Sequence, residues 1–115
     1  MKTENTFQAT ISLGLTEGYD GIEHRIEEVY DVCREYCDRV KLAVTVTPTK
    51  FIYVNGSEFG CFVELINYPR FPSTRYNITV NALDLATILM KKFQQQRVSV
   101  ICTDKTYMLE ESDYA

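Results

Sequence analysis

The sequence holds one histidine, four cysteines, three prolines and five glycines in 115 residues, and no apolar run reaches the length of a membrane span. Each scarcity excludes something. His24 stands alone among Glu23, Arg25 and Glu27, which leaves no evident Ser-His-Asp or Cys-His pair and reads as a solvated residue of an acidic helix. Gly14, Gly18 and Gly21 punctuate turns and do not form a phosphate-cradling loop of the P-loop or dinucleotide type. Cys33, Cys37, Cys61 and Cys102 sit inside periodic segments and are too few for a disulfide scaffold. Zinc would need two further soft ligands beside Cys33 and Cys37, so buried thiols are expected instead of a metal site. The first apolar residues are broken by Glu4, Asn5, Thr6 and Gln8, which argues against a secretory signal. A soluble, intracellular chain without catalytic set, metal or cofactor follows, and the expectation is that it is not an enzyme.

Acidic residues are also scarce in one place. Eleven of the sixteen Asp and Glu precede Leu65, and four more follow Thr103. Between those two positions only Asp84 opposes Arg70, Arg75, Lys91, Lys92 and Arg97. The net charge of −4 argues against a DNA or RNA partner held by its phosphate backbone. A local positive region can still attract a small anion, because exposed charges are screened beyond roughly 10 Å.

What is present is periodic. Phe7, Ala9, Ile11 and Leu13 alternate with polar residues as in a half-buried strand, and a turn is expected at "TEGYDG", residues 16–21. Ile22, Ile26, Val29, Cys33, Tyr36, Cys37 and Val40 then fall on one helical stripe, predicting a first helix over about 21–39. "KLAVTVT" and "KFIYV" are extended segments separated by Pro48, which suggests a bulge or an edge. Asn55-Gly56 marks a hairpin, "CFVELIN" is its returning strand, and Thr79 is the expected N-cap of a second helix running to about Gln95. "RVSVIC" reads as a further strand, and "DKTYMLE" can fold back on it.

The order βαββαβ, with a possible extra C-terminal strand, predicts a single α+β domain over residues 1–115. In it two helices cover one face of a largely antiparallel sheet. Thr45, Thr47, Ile52, Phe62 and Ile66 are candidates for the uncovered face, and an apolar outer face points to a homo-oligomer.

The stretch "NYPRFPSTRYNITVN", residues 67–81, is the best candidate for a binding surface. Pro69 and Pro72 restrict the backbone around Arg70 and Phe71 and lower the cost of presenting both side chains. Phe71 offers a flat face to a nucleobase, Arg70 and Arg75 offer forked donors to phosphate, and Asn81 has an amide suited to an adenine edge. A helix beginning near Val80-Asn81 would add free N–H groups for an anion. The bland alternative is that Tyr68, Phe71 and Tyr76 plug the end of the core.

Together, "VTVTPTKFIYVNG", "LINYPRFPST" and "RVSVICTDKTYMLE" resemble the first described type of phage Thoeris anti-defence proteins, from about Phe7 to Glu110. The resemblance implies a sponge acting in the cytoplasm of the infected host bacterium. Such a sponge binds a cyclic ADP-ribose isomer without cleaving it, in pockets between subunits of a dimer or hexamer. It further implies Phe71 as the base-stacking aromatic, Asn81 as its polar partner and Arg97 as the phosphate ligand. The resemblance also implies a contact from the "TPTKFIY" segment, where Lys50 stands in place of arginine and lacks its bidentate fork. For some members the resemblance also implies cyclic oligonucleotides taken at a separate site, with His24 and Arg25 as the candidates here. Two other readings remain open: an acidic protein-binding inhibitor presenting Glu23, Glu27, Asp31, Glu35 and Asp38, and a small cyclic-nucleotide hydrolase.

Overall fold

The computed structural model describes residues 1–18 and 21–114, so Tyr19 and Asp20 of the expected turn lie outside the described residues. Five strands form one antiparallel sheet: β1 (Gln8–Gly14), β2 (Thr45–Tyr53), β3 (Gly56–Ile66), β4 (Arg97–Cys102) and β5 (Thr106–Glu110). Their spatial order is β2-β3-β1-β4-β5. The helices α1 (Ile26–Val40) and α2 (Arg75–Lys92) follow β1 and β3, which is the split βαβ arrangement of ferredoxin-like folds with one strand added.

Strand alternation decides what is buried. Ala9, Ile11 and Leu13 of β1, Cys61, Val63 and Leu65 of β3, and Val98 and Val100 of β4 point to the helices. They meet Val29, Cys33 and Tyr36 of α1 and Ala82, Leu85, Ala86 and Leu89 of α2. The opposite face carries no helix. Thr47, Phe62, Ser12, Ser99 and Met108 form one row across it, and Thr45, Glu64, Thr10, Ile101 and Thr106 form the next.

Several boundaries differ from the sequence expectations. α1 begins five residues later than expected because Leu15, Thr16 and Glu17 pair with Ile22, Glu23 and His24. His24 N–H donates to Leu15 O at 2.7 Å and Glu17 N–H to Ile22 O at 2.9 Å. α2 begins earlier, at Arg75, because Thr74 Oγ1 accepts from Asn77 N–H at 3.0 Å and is the N-cap. Thr79 is therefore inside the helix. The two segments around Pro48 form one continuous strand, which proline tolerates because β2 is a sheet edge. Asn55 adopts φ 60° in the two-residue turn between β2 and β3. Ile52 pairs with Ser57 on the helix side of the sheet instead of the open face, and its 81% exposure shows that it reaches past the helices.

Candidate functional site

Two concave sites lie at opposite ends of β3. The larger, with a cavity volume of 710 Å³, sits between the C-terminus of α1, the end of β3, the loop at 67–74 and the first turns of α2. Lys41 and Leu42, Tyr68 and Phe71, and Asn77 and Asn81 line it, with no acidic side chain among the lining residues. The loop is braced from both sides. Asn67 Oδ1 accepts from Ser73 N–H at 2.8 Å, its Nδ2 donates to Asn5 O at 2.9 Å, and Phe71 N–H donates to Tyr68 O at 2.9 Å.

Phe71 is two-thirds exposed, so the ring does not plug the core. The Arg70 guanidinium carbon sits 5.2 Å from the Phe71 ring centroid. Asn81 lies in the second turn of α2, so the expected helix start beside it is corrected: the free N–H groups are near Thr74 and Arg75. Its backbone carbonyl accepts from the Tyr36 hydroxyl at 3.2 Å, and the same hydroxyl donates to Asp84 Oδ2 at 3.0 Å. Burial and the Asp84 carboxylate raise the Tyr36 pKa, so Tyr36 is a neutral strut between the helices.

Phe71 and Asn81 thus line one cleft, Arg70 stands beside it over the Phe71 ring, and Arg97 and Lys50 stand elsewhere. Lys50 Nζ lies 5.2 Å from the Phe59 ring centroid, on the β2–β3 hairpin. Arg97 opens β4 on the open face and lines the second site, a cavity of 250 Å³ bounded by Thr16, Gly18, Tyr53, Glu58, Gln95 and Gln96.

This smaller site is polar and was not foreseen from the sequence. Gly14 makes room for it. A Cβ at that position would stand 2.9 Å from Gln95 Oε1 and 3.0 Å from Glu58 Oε2, so the two side chains converge over the bare glycine. Gln95 is held by its Nε2, which donates to Thr16 O at 3.0 Å and Phe93 O at 3.1 Å, leaving Oε1 towards the cavity. Burial pushes the Glu58 carboxyl above its ordinary range, and a hydrogen bond from the Thr16 backbone acts in the opposite direction. A partly desolvated carboxylate in a concave polar site makes Glu58 a candidate functional residue.

His24 is not a solvated helix residue, which corrects the sequence expectation. It precedes α1, with Nε2 3.2 Å from Glu17 Oε1, Nδ1 3.4 Å from Glu28 Oε2, and its ring edge-on to Phe93 at 5.0 Å. It therefore ties the 15–24 segment to the end of α2, next to Gln95. The four cysteines are unpaired, with Cys33 and Cys61 pushed up to about 12 by burial. Among the described residues no group of His, Cys, Asp and Glu is arranged to hold a metal ion, and no helix is long and apolar enough to cross a membrane.

No protein-family model matches the chain, and no curated protein does. Two solved structures share its fold. One is a phage SAM lyase in complex with S-methyl-5'-thioadenosine, with a TM-score of 0.82 and 17% identity over 100% of this chain and 97% of that one. The other is a phage SAM lyase in its apo state, with a TM-score of 0.73 and 20% identity over 90% of this chain and 88% of that one. At these identities the likeness carries the fold.

The expectation of a chain that is not an enzyme is corrected by this finding, since the shared fold is one on which a lyase is built. The absence of a Ser-His-Asp or Cys-His set argues only against chemistry that needs an activated protein nucleophile. A lyase that expels a good leaving group has no such need. The likeness lends no support to the sponge identity beyond a phage fold that holds a small nucleoside.

Proposed function

We propose that the chain cleaves a sulfonium nucleoside of the S-adenosylmethionine type, with Glu58, Tyr53 and Gln95 around the reacting end. The observation that carries this reading is the Glu58 carboxylate, half-buried over Gly14 in a fold shared with a lyase that binds S-methyl-5'-thioadenosine. Bond cleavage is balanced within the substrate. The S–Cγ bond breaks, its electron pair stays on sulfur to give the neutral thioether S-methyl-5'-thioadenosine, and the substrate's own carboxylate oxygen bonds to Cγ to close a lactone.

The chain's own contribution is positioning and electrostatics. Glu58 faces the cationic end of the substrate, whose charge favours the ionised carboxylate and offsets its burial. The Tyr53 ring offers a π face to a cation. Incubation of the protein with S-adenosylmethionine, followed by chromatography, should yield S-methyl-5'-thioadenosine. Glu58→Gln should lower its rate of release on the order of a hundredfold, as removal of a preorganised electrostatic partner does. No product above the protein-free rate would end this reading.

A second reading concerns the larger cleft, where Phe71 is proposed to stack on a base, Asn81 to meet its edge and Arg70 to meet a phosphate. The acid-free lining beside the Phe71–Arg70 pair supports a cyclic ADP-ribose isomer as ligand, and with it an anti-defence role in the host cytoplasm. Residues 58 and 66 of β3 are separated by roughly 25 Å of strand, too far for one nucleoside to touch both sites in a single chain. A homo-oligomer is proposed on a separate ground, the exposed Ile101 and Met108 of the open sheet face. Titration of cyclic ADP-ribose isomers into wild type and Phe71→Ala tests the cleft, with one to two decades of affinity expected to be lost on the stacking estimate of roughly 1–3 kcal/mol.

A further inference from the structure

We propose that Arg97 selects the substrate by receiving the α-carboxylate of an amino-acid tail whose ammonium group faces Glu58. The inference rests on the lyase reading and names the part of the substrate that the smaller cavity holds. At 250 Å³ that cavity is below the roughly 300–1,000 Å³ of clefts that enclose a whole ligand, so it takes one end of a larger molecule. It opens on the helix-free face of the sheet, which leaves a path for the nucleoside portion to extend outward.

The charges in the cavity are of both signs. Glu58 projects from β3 and Arg97 from the start of β4, and they line the same cavity with Tyr53, Gln95 and Gln96. One carboxylate and one guanidinium facing a small space complement a zwitterion better than a simple cation, which Arg97 would repel. Arg97 is also available. Its Nε lies 3.5 Å from Glu110 Oε1, the outer limit of a hydrogen bond, and its side chain is 65% exposed. Among the described residues no carboxylate engages the two terminal nitrogens, so one of them can hold a single oxygen of the substrate carboxylate and leave the other oxygen free to close the lactone.

The backbone on either side of Arg97 is held in place. Gln96 O accepts from Glu111 N–H at 2.8 Å, and Val98 is buried in the core. The guanidinium therefore hangs from a fixed point and has room to turn from Glu110 toward a bound carboxylate.

The test is a binding titration with S-adenosylhomocysteine and with 5'-S-(3-aminopropyl)-5'-thioadenosine, two thioethers that differ only in the carboxylate and lack the sulfonium leaving group. Wild type should bind the first roughly ten- to a hundredfold more tightly, the range of a charge-assisted hydrogen bond. Arg97→Met should abolish the preference by weakening only the carboxylate-bearing ligand, and Arg97→Lys should keep part of it. Glu110→Gln should leave the preference in place. Equal affinities in wild type, equal losses for both ligands in Arg97→Met, or no binding of either ligand would overturn the proposal. Release of S-methyl-5'-thioadenosine from S-adenosylmethionine is scored separately, so failure of the lyase reading and failure of the Arg97 assignment are distinguishable.

Discussion

Glu58 has a measurable consequence beyond the proposed chemistry. Burial raises its folded-state pKa, so the folded protein holds this proton to higher pH than the unfolded chain does. The stability linked to Glu58 is thus fully present below the ordinary glutamate value of about 4.3 and is lost as pH rises through the folded value. Glu58→Gln should accordingly melt at a higher temperature than wild type near neutral pH, with the gap closing at about pH 4 and below. Thermal melts across that range check the sign, and a gap that widens on acidification would refute it. Cys33 and Cys61, pushed up to about 12, should resist alkylation at pH 8 until the protein is unfolded, which mass spectrometry after iodoacetamide treatment reads directly. Phe71 is two-thirds exposed, so Phe71→Ala should leave stability within about 0.5 kcal/mol while affecting ligand affinity.

At the scale of the element, the end of α2 does two jobs. Phe93 is fully buried against the His24 ring, and Gln95 leaves the helix end to reach Thr16 O over Gly14. Phe93→Ala should cost about 3–5 kcal/mol in chemical denaturation, as deletion of a core aromatic does. The other end of α2 is set by Thr74. Its replacement by alanine should cost about 1 kcal/mol, whereas the sequence had pointed to Thr79 as the cap. The difference arises because "PSTRYNIT" offers threonine at both 74 and 79, and periodicity alone does not choose between them. α1 was read too long for a similar reason. Ile22 continues the apolar stripe, yet its carbonyl and the His24 N–H pair with Glu17 and Leu15 before the helix begins.

Over the whole molecule, helices cover one sheet face and leave the other open. Phe62, Ile101 and Met108 stand there among threonine and serine, with Phe51 lying edge-on to Phe62 at 5.9 Å across Gly60. If copies meet on this face, light scattering should give a multiple of the 13.3 kDa chain mass, and Ile101→Glu should return the monomer. A monomeric wild type at micromolar concentration would remove the oligomer from the proposed function.

By itself the sequence determined the order of elements, the alternation that buries Ala9, Ile11 and Leu13, and the helical stripe of Val29, Cys33 and Tyr36. These are local properties, since the strand and helix periods are written within a few residues of each other. The braced loop presenting Arg70 and Phe71 was legible for the same reason: its prolines and aromatics are neighbours in the chain. Only the tertiary structure decided that Glu58 and Gln95 converge over Gly14 and share a cavity with Arg97. Those positions belong to three strands and a helix end, each looks like an ordinary polar residue in its own segment, and their meeting depends on strand register and order. Sheet pairing also separated Arg97 from Phe71, by placing the beginning of β4 at the opposite end of the sheet from the end of β3.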